Sequence, residues 1–158
     1  MHVFVTGHTG FKGAWLTLML TESGHTVSGL SLDPEPGCLF ERAMLQERVA
    51  HDFRSDIRNP AATARALAMA APDVVVHMAA QPLVRESYSD PRRTFETNVN
   101  GTLNVLEAVS HTESVKAHLV VTTDKVYRNT GRIDGYAEHD ALGGDDPYSA
   151  SKAMARRM

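Results

Sequence analysis

The chain has 158 residues, 42% hydrophobic and 22% charged. That balance allows one folded core and excludes a disordered tail, a collagen-like fibre or a low-complexity linker. Sixteen basic against nineteen acidic residues leave a net charge of -3 and no basic stripe, so nothing favours nucleic acid as a partner.

Val3-Phe4-Val5 reads as a first strand closed by Gly7. A helix is expected from Phe11 to Ser23, with Trp15, Leu16, Leu18, Met19 and Leu20 on its inner side and Gly24 at its C-terminal cap. Val27 to Leu30 and Val49 to Phe53 read as strands two and three. Ala61 to Ala71 is alanine-rich and helical, opened by Pro60 and followed by Pro72. Val74 to Met78 is a fourth strand whose unbroken apolar character suggests burial on both faces. Pro91 to His111 reads as one long helix, with Phe95, Val99, Leu103, Leu106 and Val109 at three- and four-residue steps. Leu119 to Val121 is a fifth strand. Residues 128–146 are polar and glycine-rich, hence a loop, and Asp146-Pro147 reads as the N-cap and first turn of a last helix. Strands alternating with helices predict an α/β fold, a Rossmann-like doubly wound parallel sheet with right-handed crossovers. The last helix runs to Met158 with no glycine, proline or polar stop, so the pattern reads as truncated within the helix after strand five. The single Cys38 cannot form an internal disulfide and suits a reducing, cytoplasmic setting. Neither a signal-peptide pattern nor an apolar run of membrane-spanning length is present.

Four features carry chemistry. Gly7-x-x-Gly10-x-x-Gly13 follows the first strand and opens the first helix. Glycines there permit a tight turn and close approach of backbone to a pyrophosphate, which the helix N-terminus attracts. Asp33, twenty residues past Gly13, can accept hydrogen bonds from an adenosine ribose, favouring NAD over NADP, or can be a turn aspartate before Pro34. Asp56 can meet an adenine amino group or cap the Pro60 helix. Tyr148-x-x-x-Lys152 places a phenol and an ammonium on one helix face, where the cation favours phenolate and hence a base near neutral pH. Thr122-Thr123-Asp124-Lys125 puts hydroxyl, carboxyl and amine in a row at the end of strand five, where ligands bind in parallel sheets. The eight histidines show no metal-ligand spacing, so no metal is expected. His77 reads as a core group, and His8 lies in the phosphate turn, where it can touch cofactor. A Walker lysine pattern and a Gly-x-Ser-x-Gly elbow are absent.

Together these residues resemble the extended short-chain dehydrogenase/reductase family of nucleotide-sugar enzymes, in particular its 4,6-dehydratase branch. The resemblance is carried by Val5–Gly13, by His77–Arg85 continuing through Ser87-Tyr88 to Asp90-Pro91, by Thr123-Asp124-Lys125 with Tyr127, and by Leu142–Lys152. The chain departs from the family at Ser55-Asp-Ile-Arg-Asn59, where aspartate usually ends the run, and after Tyr127, where a tryptophan is usual. The resemblance implies one NAD-binding domain over 1–158, with most of the nucleotide-sugar pocket supplied by sequence beyond it. It implies that NAD is held by Gly7, His8, Gly10, Phe11, Lys12, Gly13, Asp33, Asp56, Ile57, Ala79, Ala80, Gln81, Asn98, Tyr148 and Lys152. It also implies that Tyr148 with Lys152 takes the sugar 4-hydroxyl proton, that Thr123 hydrogen-bonds this hydroxyl, that Lys125 is the base at C5 and that Asp124 protonates the departing 6-hydroxyl. The implied partners are a nucleotide-sugar substrate and a second copy of the chain, paired through the Pro91 and Pro147 helices, with neither nucleic acid nor membrane. An epimerase, or an NAD-binding fragment without activity, would share the glycines.

Overall fold

Val3 and Val5 point to one side of strand β1 (His2–Thr6) and Phe4 to the other, and all three are buried. A strand with alternate residues on opposite faces is buried this way only when both faces are covered. The computed structural model describes residues 1–158 and shows how the covering is done. β1 pairs in parallel with β2 (Thr26–Ser31) and β4 (Val74–His77), β2 pairs with β3 (His51–Arg54) and β4 with β5 (Ala117–Val120). The strand order is β3-β2-β1-β4-β5, the doubly wound order expected from the sequence, with its direction reversing between β1 and β4.

The chain divides into two units, Met1–Ala79 with Asn104–Val121, and Ala80–Leu103 with Thr122–Met158. The first holds the sheet. On one face Phe4, Leu30, Ile57 and Val75 pack with Ala66, Leu67 and Ala70 of α3 (Pro60–Ala70) and with Val105 and Ala108 of α6 (Gly101–Ser110). On the other, Val3, Val5 and Val27 pack with Leu16 and Leu20 of α1 (Phe11–Glu22). α1 turns small residues inward: Gly13, Ala14 and Thr17 are buried, while Trp15 and Met19, expected inside, are 48% and 64% exposed. Small side chains let the start of the helix lie close to the strands, and this close approach displaces the bulky ones to solvent. α1 ends as expected. Gly24 adopts φ +78°, its N–H bonds Thr21 O and the His25 N–H bonds Leu20 O, the paired closure that needs a left-handed residue. A short α2 (Leu39–Arg42) and a 3₁₀ turn at Leu45–Glu47, neither expected, bury Phe40 and Leu45 against Ala14.

The second unit contains α4 (Val84–Ser89), which had no sequence signal, and α5 (Pro91–Phe95), capped by the Asp90 side chain. It also contains α7 (Pro147–Arg156), capped by Asp146 as expected. The helix expected over 91–111 is interrupted by a π turn at Glu96–Asn100. The extra residue of such a turn rotates the remainder of the helix by about 100°. Leu103 is therefore 51% exposed, and Val105 and Ala108 take the buried positions. β3 and β5 are also displaced from the expected ranges. Val49 packs against the sheet from just before β3, and Val121 lies one residue past β5, its N–H on His77 O. No helix is long and apolar enough to cross a membrane.

Candidate functional site

The glycine turn between β1 and α1 is shaped almost wholly by backbone. Gly7 has φ +77° and its N–H bonds Leu30 O at 2.8 Å. A Cβ on Gly7 would lie 2.9 Å from the Ala79 backbone, and one on Gly13 only 2.0 Å from Gly7 O. Both glycines are thus required by the fold itself. Gly10 is different: a Cβ there would meet only Gly7 O, at 3.3 Å. It is the exposed N-cap of α1, and no side chain caps the first turn. The N–H groups of that turn therefore face an open cradle, the arrangement that receives a phosphate. A dinucleotide pyrophosphate fits this cradle, and bulk at Gly10 would fill it.

Thr6 anchors the turn and was not singled out in the sequence. Its Oγ1 accepts from the N–H of Met78 and of Ala79, both at 3.1 Å, and lies 2.6 Å from His77 Nδ1. With both lone pairs taken, the hydroxyl donates to Nδ1, leaving the His77 proton on Nε2. His77 is thus the satisfied core group expected. Thr9 Oγ1 pairs with Ser31 Oγ at 2.6 Å and donates to Leu32 O, fastening the turn to the end of β2.

His8 differs from the expectation of a cofactor contact by its side chain. The imidazole is fully buried, its ring directly over Gly29, where a Cβ would stand 2.2 Å from it. Its Nε2 lies 2.8 Å from Asp52 Oδ1, and Asp52 in turn accepts from Arg54 at 2.6 Å. Burial would raise the Asp52 carboxyl, but the His8 hydrogen bond and charge, with Arg54, outweigh it and hold the group below the usual carboxylate range. Only the backbone of His8 is presented toward the cradle. The absence of a side chain at Gly29 is what admits the ring, a pairing no local pattern announces.

Asp33 stands exposed just past β2. Asp56 does not cap α3. Its carboxylate is gripped by Arg58 through the backbone N–H, Nε and Nη2 at 2.8–3.0 Å, and Asn59 supplies the cap by accepting from Ala62 N. Ile57 is 4% exposed in the core, so it offers only backbone to a ligand. Phe11 and Lys12 are exposed on the first turn of α1.

The remaining candidates belong to the second unit. Asn98, placed by the π turn, is 1% exposed. Its Oδ1 accepts from Gln81 N at 2.8 Å, and its Nδ2 donates to Gln81 O and to Ser151 Oγ. Both amide hydrogens are therefore used within the protein, and Asn98 holds the Ala80-Gln81 segment to α7 rather than offering donors outward. Gln81 Nε2 continues the network to Thr94 Oγ1, and Ser151 Oγ donates to Tyr148 O. Thr94 and Ser151 were not legible in the sequence as members of this set.

Tyr148 and Lys152 lie one turn apart on α7. Tyr148 is half-buried and Lys152 is 4% exposed, and burial lowers the Lys152 ammonium below its ordinary range. Thr123, Asp124 and Lys125 follow the end of β5, as expected, Thr123 as the N-cap of a 3₁₀ turn at Asp124–Val126. Thr123 Oγ1 donates to Asp124 Oδ1 at 3.0 Å, Val126 is buried, and Asp124 and Lys125 are exposed. An acid, an amine, a phenol and a buried ammonium thus lie in one unit, groups of the kind that accept and deliver protons.

The family described as NAD dependent epimerase/dehydratase matches residues 3–158. CDP-glucose 4,6-dehydratase of Salmonella typhimurium is 47% identical over 97% of this chain and 43% of its own. dTDP-glucose 4,6-dehydratase of Xanthomonas campestris pv. campestris is 34% identical over 98% of this chain and 46% of its own. Among solved structures, UDP-glucose-4-epimerase from Stenotrophomonas maltophila with bound NAD superposes with a TM-score of 0.86 at 26% identity, over 99% of this chain and 47% of that one. The chain thus spans about half the length of the relatives it matches.

Proposed function

The chain belongs to the NAD dependent epimerase/dehydratase family, and on that premise we propose that it dehydrates CDP-glucose to CDP-4-keto-6-deoxyglucose and water. The observation that carries the reading is the pair Asp124-Lys125, exposed in one turn of the same unit as Tyr148 and Lys152. Oxidation at C4 alone, which serves epimerases too, needs only the tyrosine and lysine, whereas loss of water needs a further base and a further acid. The 47% identity to a CDP-glucose 4,6-dehydratase supports CDP as the nucleotide.

Bound NAD would supply a hydride acceptor at C4 of the sugar and a hydride donor at C6. Its pyrophosphate would be held by the N–H groups of Phe11, Lys12 and Gly13, the Gly10 N–H being taken by Gly7 O, and its adenosine ribose by Asp33, with Asp56 and the Ile57 backbone toward the adenine. Tyr148, one helical turn from Lys152 on α7, removes the 4-hydroxyl proton while Thr123 holds that oxygen. The 4-keto group acidifies C5, and Lys125 in its neutral form removes the C5 proton. Asp124 in its acid form protonates the 6-hydroxyl, so that the C6–O bond breaks and water leaves. As hydride returns to C6, Lys125 gives its proton back to C5, so nothing is oxidised in sum: one water is lost and the carbon skeleton keeps its electrons. A homodimer through the Pro91 and Pro147 helices belongs to the same reading, supported by the exposed Leu103 and Met154. The test is to incubate the protein with CDP-glucose and NAD and weigh the product. A product lighter by one water is expected, and a product of unchanged mass would make the protein an epimerase instead.

A further inference from the structure

The loop after the Asp124-Lys125 turn carries two stacked rings with a cation on each. Arg156 Cζ lies 4.6 Å from the centroid of the Tyr127 ring, Tyr127 stacks on Tyr136 at 5.2 Å and 10°, and Arg132 Cζ lies 4.7 Å beyond the Tyr136 ring. Tyr136 and Arg132 are also tied within the loop. Tyr136 Oη accepts from Thr130 N and donates to Asn129 Oδ1, Arg132 pairs with Asp140, and Asp140 accepts from Ala137 N. The base of the loop is closed by Arg128 N to Ala141 O and Gly143 N to Val126 O.

We propose that this column, Arg156–Tyr127–Tyr136–Arg132, is a positioning device that aims Asp124 and Lys125 for the elimination step. The proposal rests on the dehydratase reading above. Three observations carry it. Arg156 continues the four-residue stripe of Tyr148 and Lys152 along α7. Tyr127 comes two residues after Lys125, separated from it only by the buried Val126. Asp124 and Lys125 are exposed, and the side-chain bonds within their turn are those of the Thr123 hydroxyl. Their direction is therefore set by the residues on either side: Thr123 before and Tyr127, clamped to α7 through Arg156, after. The clamp needs a planar ring and a planar cation, and it does not use the Tyr127 hydroxyl. Misplacement of an acid or base by about 1 Å costs up to about 100-fold in rate.

The experiment compares Tyr127→Phe, Tyr127→Leu, Arg156→Lys and Arg156→Met with the unaltered enzyme in single turnovers on CDP-glucose. Oxidation at C4 is followed by reduced-nicotinamide absorbance, and elimination by water loss and by exchange of the C5 hydrogen in deuterated solvent. Tyr127→Phe is expected to eliminate at the unaltered rate. Tyr127→Leu and Arg156→Met should eliminate about 10- to 100-fold more slowly, with C4 oxidation and NAD affinity unchanged. Should Tyr127→Leu or Arg156→Met fail to fold, Arg156→Lys, which keeps the charge but not the plane, is expected to fold and to eliminate several-fold more slowly. Elimination at the unaltered rate in every folded variant overturns the column's role and leaves the dehydratase reading standing, as does an equal loss in oxidation and elimination. If the unaltered enzyme returns an epimer without losing water, both readings fall.

Discussion

In the first unit the glycine turn is set by backbone meeting backbone, whereas in the second the candidate residues are held by side chains that bond or stack with one another. Gly7 and Gly13 leave no room for a methyl group; Asn98, Gln81, Ser151 and Thr94 form a closed hydrogen-bonded set instead. The difference teaches where each unit is vulnerable. A steric site fails when an atom is added. A polar network fails when one is removed, because the groups left behind remain buried and unpaired.

The sharpest break of the comparison is in catalysis, which the proposed function places in the second unit. Tyr148→Phe and Asp124→Asn should each lower kcat by about 10²–10⁴-fold. They should separate in stopped-flow absorbance: reduced nicotinamide accumulates in Asp124→Asn and not in Tyr148→Phe. Equal traces from the two variants would deny the division of roles.

Next in size is the contrast inside the glycine turn. Gly13→Ala forces a Cβ into Gly7 O and should destabilise by about 3 kcal/mol or more in urea unfolding. Gly10→Ala should stay within about 0.5 kcal/mol of the unaltered protein, yet weaken NAD in calorimetry, because its Cβ enters the cradle and not the fold. Tight NAD binding in Gly10→Ala would remove the pyrophosphate from that place. Asn98→Ala, which strands Gln81 N and O in the second unit, should cost about 1–3 kcal/mol and is checked by the same unfolding curves.

The smallest effects are in pH, and they run in opposite directions from neutrality. In the first unit, burial and then His51 depress the His2 imidazole, with Asp73 opposing. The unfolded chain therefore binds a proton more readily, and stability falls as pH drops from about 6.5 toward the lower folded value. Asp73 is held at about 2 by Lys116 and the His2 N–H, so its contribution, present above 3.8, is lost as pH falls to about 2. In the second unit, burial depresses Lys152, so stability rises with pH from its folded value up to 10.5. Urea midpoints across this range should show both limbs, and Lys152→Met should abolish the alkaline one alone.

The sequence by itself determined whatever depends on near neighbours along the chain. The spacing of Gly7, Gly10 and Gly13, the closure at Gly24 and the cap at Asp146-Pro147 are local constraints on φ, on backbone approach and on orphan N–H groups. The alternation of strands and helices is equally local and was enough for the sheet. Tertiary structure decided what depends on partners distant in sequence. His8 turns inward because Asp52 and the bare Gly29 receive it. The π turn exists where Asn98 finds Gln81 and Ser151, seventeen and fifty-three residues away. That turn then shifts the phase of the helix after it, so a 3.6-residue pattern carried through from Phe95 put Leu103 on the wrong side, while Val109 still packs against the core. Trp15 and Met19 likewise lost the inner face of α1, which Gly13, Ala14 and Thr17 occupy with Leu16 and Leu20 beside them, because the close approach of the helix start to the strands is recorded by no sequence periodicity.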